Sequence, residues 1–181
     1  MSALDALGGA LLLAVITAAT SLAWSTLRLG ISPLPTSRRV RDALLALAPP
    51  ALDGEVHELG AGWGGLALAL ADRFPKAHVV AWELSFVPWA VFRLRLALRP
   101  RPNLTLRRRD FFDADLSGAR LVVCYLWTGA MLKLGPKLQR ELPRGAVVLS
   151  QTFALRGWTA DETRVVNDLY RTPVYRYVVT R

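Results

Sequence analysis

The hydrophobic and polar positions divide the chain into two unlike parts. An apolar run without a charged residue extends over residues 6–27. From about residue 38 onwards, short apolar stretches alternate with segments in which apolar residues recur every three to four positions. Short apolar stretches are typical of buried strands, and the longer period is typical of amphipathic helices. The pattern therefore predicts one N-terminal apolar helix followed by an α/β domain.

Within that domain the pattern predicts five strands that alternate with helices, and then two strands in succession. Such alternation implies a parallel sheet with right-handed crossovers. The last two predicted strands have no helix between them, so they should form an antiparallel hairpin. The predicted helices are 38–48, 66–73, 89–98 and 131–141, and the predicted strands are 55–59, 78–83, 104–109, 120–126, 146–152, 163–168 and 174–180.

The apolar run is long enough to cross a bilayer as a helix. A hydrocarbon core of about 30 Å requires about 20 residues, and Trp24 stands near one end of the run, where interfacial aromatic residues collect. A cleaved signal peptide is disfavoured because Asp5 is the only charge before a long apolar stretch. A buried core helix is the other alternative.

Arginines follow the apolar run, beginning with Arg28. The positive-inside rule then predicts a single-pass protein of the inner, or cytoplasmic, membrane whose C-terminal domain faces the cytoplasm. The expected division is an anchor over 1–29, a proline-containing linker over 30–37 and a folded domain over 38–181. Thr36 or Ser37 could cap the first helix of that domain.

The strongest functional signal is the stretch Val56–Gly65, which reads VHELGAGWGG. It predicts a buried strand that runs into glycines and then into a helix. Glycines at every second position allow a sharp turn and a close approach of the backbone to a ligand. The following helix points its free N–H groups towards that ligand. This combination is typical of the nucleotide-binding corner of an α/β sheet, and a tight turn without a ligand is the alternative.

The glycines fit two classes of nucleotide. Gly60, Gly62 and Gly65 match the dinucleotide pattern GxGxxG, whereas Gly60, Gly62 and Gly64 match the pattern GxGxG of enzymes that use S-adenosylmethionine (SAM). Glu58 favours SAM, because a carboxylate just before the glycines would repel a pyrophosphate. The same carboxylate suits the ammonium and sulfonium groups at the methionine end of SAM.

Two further carboxylates are predicted at the same edge of the sheet. Glu83 ends the second predicted strand, where it could accept hydrogen bonds from ribose hydroxyls. Asp110 ends the third, where it could accept one from the adenine amine, with Phe111 beside the ring. Each could be a solvated strand-end carboxylate. With Glu58, however, they place three acidic groups at neighbouring strand ends, which is where open α/β sheets bind ligands.

Two aromatic residues, Tyr125 and Trp127, close the fourth predicted strand at this edge. They could border a pocket for an acceptor amine or a methyl-bearing cation, or they could belong to the core. Methyl transfer depends on a nucleophile that is held close and aligned more than on an acid or base in the protein. We therefore assign no catalytic side chain.

Composition narrows the kinds of site and partner that remain possible. The chain has 181 residues, enough for one domain with a sizeable core. Its single cysteine excludes an internal disulfide and a cysteine-based metal cluster, and both histidines fall in predicted strands, so no metal site is expected. The formal net charge of +9 indicates an anionic neighbour. The arginine-rich segment 93–109 could contact anionic lipid or a nucleic-acid backbone, or it could be a solvated edge.

Taken together, the motif at 58–64, Glu83, Asp110 and the closing hairpin resemble the class I, seven-stranded SAM-dependent methyltransferases over about residues 38–181. The resemblance implies an α/β fold, with a Rossmann-like seven-stranded methyltransferase sheet that ends in a C-terminal antiparallel hairpin. It also implies S-adenosyl-L-methionine as the cofactor.

More narrowly, the chain resembles small membrane-anchored protein-lysine methyltransferases of archaea and mitochondria, including the one that modifies the ATP synthase c subunit. The shared features are the apolar N-terminal segment, Pro35-Thr36 and the aromatic stretch 124–127. The chain departs from that family at Glu58, where Asp is usual, and at Trp63, where an acidic residue is usual.

This resemblance implies a membrane-anchored enzyme that methylates an amine, taken as a lysine of a membrane-associated protein. A lipid or small amphipathic acceptor is one alternative, and a non-catalytic membrane-tethered binding module is another; nucleic acid is not expected as a partner. The residues implied to bind the cofactor are Glu58, Gly60, Ala61, Gly62, Gly64, Glu83, Leu84, Asp110 and Phe111, and those implied to border the acceptor are Thr36, Tyr125 and Trp127.

Overall fold

The computed structural model of the protein describes residues 3–29 and 35–180. Residues 30–34 of the expected linker therefore lie outside the described residues. The helices are α1 (Ala3–Leu29), α2 (Arg38–Leu47), α3 (Gly65–Arg73), α4 (Phe86–Leu98) and α5 (Thr128–Glu141). The strands are β1 (Gly54–Leu59), β2 (Ala77–Trp82), β3 (Leu104–Arg107), β4 (Ala119–Cys124), β5 (Val147–Gln151), β6 (Glu162–Val165) and β7 (Pro173–Val178).

The strands form one seven-stranded sheet in the order β3-β2-β1-β4-β5-β7-β6. Strands β1 to β5 are parallel, and β7 runs antiparallel to both β5 and β6. The predicted parallel α/β sheet and its closing antiparallel hairpin are confirmed. The strand order reverses at β1, which pairs with β2 on one side and β4 on the other. Open sheets bind ligands at such a switch point, beyond the carboxyl ends of the strands.

Helices cover both faces of the sheet, so the central strands β4 and β5 bury apolar residues on both sides. On one face, α2, α3 and α4 bury Leu44, Leu70 and Phe92 against the strands. On the other face, α5 buries Leu134 and Leu138. These two layers fix the ends of β1 to β4 relative to one another, and the functional residues lie at those ends.

Several element boundaries differ from the sequence-based expectation by one to three residues, and three of them, at β3, β4 and α4, bear on the site. Strand β3 ends at Arg107 because the side chain of Asp110 accepts a hydrogen bond from the backbone N–H of Phe112 (2.9 Å) and caps a 3-10 turn. Strand β4 ends at Cys124, and the aromatic residues after it lie in a loop. Helix α4 begins at Phe86 because Pro88 fits the first turn of a helix, where its missing N–H has no helical partner.

The N-terminal apolar run is helical. Within α1, residues Asp5–Trp24 are long and apolar enough to cross a membrane, and none of this stretch is buried by the rest of the chain. Helix α1 contacts α4. At the start of the domain, Ser37 caps α2 by accepting a hydrogen bond from the backbone N–H of Val40 (3.3 Å).

Candidate functional site

A cavity of about 410 Å³ opens beyond the carboxyl ends of the parallel strands. Its walls come from the residues that follow β1, β2, β3 and β4, from the segment that enters α2, and from Arg95 of α4. Eleven of the twelve residues that the sequence singled out line it: Thr36, Glu58, Gly60, Ala61, Gly62, Glu83, Leu84, Asp110, Phe111, Tyr125 and Trp127.

The glycine turn after β1 is held against the end of β2. The backbone N–H groups of Gly60 and Ala61 both donate to the carbonyl oxygen of Trp82, at 3.0 and 2.8 Å. Gly60 and Gly62 have positive φ angles of 78° and 54°, a conformation that favours glycine because it lacks a Cβ. A Cβ built on Gly62 would meet nothing within 4 Å, so its backbone is open to a ligand in the cavity.

Gly64 has a different role from the one expected from the pattern. Its φ angle is 79°, and a Cβ built on it would lie 2.2 Å from the ring of Phe92. Phe92 is fully buried in the core. Gly64 therefore lets the turn pack closely on α4 and does not line the cavity, whereas its neighbour Gly65 does.

Glu58 lies in β1 with its carboxyl group buried at the base of the cavity. Within residues 3–29 and 35–180, its Oε2 atom has no hydrogen-bond partner. Burial raises the pKa of Glu58 well above its ordinary value of 4.5, and the nearby charge of Glu83 raises it further, while a backbone hydrogen bond from Ala67 opposes the shift. A cationic ligand group beside Glu58 would offset the free-energy cost of burying a negative charge, and it would therefore favour the charged form of the carboxyl group.

Glu83 follows β2 directly, and its carboxylate joins two loops of the site. Its Oε2 atom accepts a hydrogen bond from the backbone N–H of Gly62, and its Oε1 atom accepts one from that of Ser85, both at 2.7 Å. These bonds fix the carboxylate at the wall of the cavity. Because each carboxylate oxygen has two lone pairs, both can still accept a hydroxyl from a ligand.

Asp110 and Phe111 form the wall beyond β3. The cap that Asp110 provides sets the direction of the 3-10 turn Phe111–Asp113. The rings of Phe111 and Phe112 lie 4.6 Å apart between centroids, and both residues line the cavity. Phe112 was not singled out from the sequence, although it stands next to a residue that was.

The residues expected at the acceptor side belong to two separate segments. Thr36 precedes α2, whereas Tyr125 and Trp127 follow β4, and the fold brings all three to the cavity. The ring of Trp127 lies against the first turn of α5, where its Cη2 atom is 2.1 Å from the place that a Cβ of Gly129 would occupy. Gly129 thus makes room for this ring.

A buried histidine supports the cavity from behind. The Nε1–H of Trp82, a lining residue, donates to Nδ1 of His57 (3.1 Å), so Nε2 of the neutral imidazole carries its proton. That Nε2 lies 3.0 Å from the carboxylate of Glu55. Burial lowers the pKa of His57. The sequence did not predict the contact between His57 and Trp82, because this contact depends on the register of β1 against β2.

Three cationic residues of the cavity were also not expected as site residues. Arg38 and Arg41 come from α2, and Arg95 comes from α4. The Nη1 atom of Arg95 donates to the carbonyl oxygen of Trp63 (2.7 Å), which ties α4 to the glycine turn. These arginines border the mouth of the cavity, whereas the carboxylates lie along its strand-end wall. The arrangement offers acidic groups for a cationic nucleoside and aromatic rings for its base.

Comparison with known proteins identifies similar chains. A family model described as the ANTKMT methyltransferase domain matches residues 58–162. A protein-lysine N-methyltransferase of Saccharolobus islandicus (strain REY15A) is 32% identical over 153 residues, which cover 81% of this chain and 92% of the relative. The adenine nucleotide translocase lysine N-methyltransferase of Mus musculus is 32% identical over 135 residues, covering 73% of this chain and 57% of the mouse protein.

Solved structures are also similar over most of the chain. The RNA methyltransferase from Salinibacter ruber, in complex with S-adenosyl-L-homocysteine, superposes with a TM-score of 0.72 at 29% sequence identity. The match covers 82% of this chain and 95% of that one. The similarity therefore supports the Rossmann-like methyltransferase fold.

Proposed function

This chain belongs to the ANTKMT methyltransferase family, and from that premise we propose that it transfers a methyl group from SAM to a lysine of a membrane-associated protein. The observation that carries the proposal is the cavity at the strand ends, where buried carboxylates adjoin aromatic rings. The enzyme is a SAM-dependent methyltransferase. Its relatives named as protein-lysine methyltransferases support lysine as the acceptor.

The residues of the cavity fit SAM by their chemistry. Glu58 would hold the cationic methionine end, which its unpartnered Oε2 supports. Glu83 would accept the ribose hydroxyls, and Asp110 would accept the adenine amine with Phe111 beside the ring. The open position at Gly62 supports a close approach of the backbone to the ligand. When bound, SAM supplies a methyl group on a positively charged sulfur.

The acceptor side must deliver an uncharged amine. Thr36, Tyr125 and Trp127 would border this side, and the aromatic rings would exclude water from the lysine side chain. Removal from water lowers the pKa of an ammonium group, and the amine then has the free electron pair that it needs to attack the methyl carbon. The lysine would lose its ammonium proton to solvent before it enters the site, and S-adenosylhomocysteine would leave as the N–C bond forms, so alignment rather than a catalytic base is the protein's main contribution.

The apolar helix α1 supports a membrane location. We propose the division into an anchor over 1–29, a linker over 30–37 and a methyltransferase domain over 38–181. A single-pass anchor in the cytoplasmic membrane, with the domain facing the cytoplasm, agrees with the arginines that begin at Arg28. Confinement to the bilayer surface raises the effective concentration of acceptors in the same membrane.

The test uses the full chain reconstituted with membranes and SAM that carries a radiolabelled methyl group. We expect label in protein, recovered as methyl-lysine after hydrolysis. Glu83→Gln should weaken SAM binding about ten- to a hundredfold, because it removes charge-assisted hydrogen bonds, whereas Glu162→Gln on the distant edge strand should not. Label that appears only in lipid or RNA would overturn the lysine assignment, and unchanged SAM binding by Glu83→Gln would overturn the cofactor geometry.

A further inference from the structure

We propose that α4 is a second membrane contact, whose outward apolar stripe and flanking arginines rest on the surface of an anionic bilayer beside α1. The proposal extends the membrane anchoring suggested above, and its test distinguishes the two. It follows from the composition of α4, from the charges around it and from its contact with α1.

The outward face of α4 is apolar. Pro88 and Phe92 point into the domain and are buried, whereas Val91, Leu94 and Leu98 are 38%, 59% and 73% exposed. The spacing of these three residues places them on one side of a helix. A surface helix normally turns polar residues to solvent, so a contiguous exposed apolar stripe indicates a contact with something apolar.

The flanks of this stripe are cationic and aromatic. Helix α4 contains Arg93 and Arg95 and no acidic residue. The guanidinium group of Arg93 lies 5.6 Å from the ring centre of Trp89, and that of Arg108 lies 5.0 Å from the ring centre of Phe86. Apolar residues on one face, with arginines and aromatic rings beside them, are typical of helices that lie in the interface of a bilayer.

The packing of α1 sets the level of α4 relative to the membrane. Among the α1 residues whose exposure is described, Ala18, Ser21, Leu22 and Thr26 are half-buried, and these lie towards the C-terminal end. The earlier turns are exposed, as at Leu12. Because α1 contacts α4, α4 lies beside the end of α1 that would leave the hydrocarbon core. At that depth a bilayer presents phosphate groups above acyl chains.

A basic groove extends this surface to the mouth of the cavity. It lies between α2, α3 and α4, and Arg38, Arg41 and Arg95 line both the groove and the cavity. Arg73, Arg99 and Arg101 add to it. Its acidic residues Asp42 and Asp72 pair with Arg41 and Arg101, so the positive charge that remains comes from the other arginines. An anionic bilayer satisfies both features of the surface, since its phosphates match the arginines and its acyl chains match the leucines. The cavity would then open at the level of the headgroups.

The single native cysteine makes a site-specific test possible. Cys124 is buried, and burial raises the pKa of its thiol to about 12, so it does not react with labels at neutral pH. We would place a fluorophore on the full chain at Leu98→Cys, with Leu169→Cys as the matched control. Leu169 is an 89% exposed leucine in the loop between β6 and β7. A label at Leu12→Cys reports on α1.

The labelled proteins are reconstituted in vesicles that contain phosphatidylglycerol and a lipid-attached quencher. We expect quenching at position 98 and none at position 169. Arg93→Gln should weaken docking about fivefold, the effect of one charge near an anionic surface. Arg164→Gln on the far edge strand is the matched control and should have no effect.

The outcomes separate the two proposals. Quenching at position 12 with none at position 98 would overturn the contact by α4 and retain the anchor. Quenching at position 98 alone would support the contact and overturn the anchor, and quenching at neither position would overturn both. If the fluorophore at position 98 is not quenched by the lipid, and its emission changes only after an acidic acceptor protein is added, the surface binds a protein partner and the bilayer proposal is overturned.

Discussion

Two glycines of the same turn should respond differently to the addition of one methyl group. Gly62 and Gly64 both have positive φ angles, 54° and 79°. A Cβ at Gly62 would project into open space beside the cavity, whereas one at Gly64 would overlap the buried ring of Phe92. We therefore expect Gly62→Ala to impair binding of SAM and Gly64→Ala to impair the stability of the fold.

The magnitude follows from the two costs that each substitution incurs. A side chain in the left-handed region costs about 1–2 kcal/mol, and both variants incur this cost. Overpacking of a filled core adds about 1–3 kcal/mol, and only Gly64→Ala incurs it, because Phe92 cannot move into free volume. The total for Gly64→Ala is about 2–5 kcal/mol, which lowers the melting temperature of a domain of this size by about 10 °C.

The assay combines thermal denaturation with calorimetric titration of SAM at a temperature where every variant is folded. Gly157→Ala is the matched control, since Gly157 has a φ angle of 75° and a Cβ there would meet nothing within 4 Å. If Gly64→Ala and Gly157→Ala melted at the same temperature, the packing argument would be wrong. A loss of SAM affinity in Gly64→Ala that Gly62→Ala does not share would refute the division of roles.

Three further predictions concern the buried charges and the acceptor side. The pKa of Glu58 is raised in the folded state, so its contribution to stability is complete below pH 4.5 and is lost as the pH rises through the folded-state value. As the pH rises, the melting temperature should therefore fall less steeply in Glu58→Gln than in the native protein. Gly129→Ala should displace the ring of Trp127 and raise the KM for the acceptor about tenfold, because the side chain that borders the acceptor is then out of position. The affinity for SAM, measured by calorimetry, should be unchanged. Lys137→Met should destabilise the domain by about 3 kcal/mol in chemical denaturation, because it leaves the carboxylate of Glu141, now 2.8 Å from Nζ, without its buried partner; an unchanged midpoint would contradict this.

The sequence predicts the fold well because the spacing of its apolar residues reflects which side chains are buried. Strands β2, β4 and β5 are covered by helices on both faces, so they appear as largely apolar stretches at positions close to those observed. Strand β1, which reads GEVHEL, was predicted instead from the glycines that follow it. The location of the cavity follows from the same pattern, since carboxyl ends of parallel strands must meet at one edge. Thr36 is the exception, because only the resemblance to a family connected it to that edge.

The features that the sequence did not predict depend on partners distant in the chain. Gly64 and Gly65 look equivalent in the motif, and only the position of Phe92 determines which of them faces the core. The contact between His57 and Trp82 depends on strand register in the same way. Strand ends were displaced by capping: a side-chain bond such as that of Asp110 competes with the sheet, and apolar periodicity does not record it.

The structure also changes the electrostatic argument for SAM. Three carboxylates at neighbouring strand ends suggested a permanently negative site, but Glu83 and Asp110 are each bonded by backbone N–H groups, whereas Glu58 is buried beside Glu83 with one oxygen unpartnered. Two buried carboxylates at close range disfavour double ionisation. A cation that enters beside Glu58 would counter the rise in its pKa, so binding of SAM should favour the charged form of this carboxyl group. An anionic dinucleotide could not offset that charge, so the same pair that favours SAM disfavours a pyrophosphate.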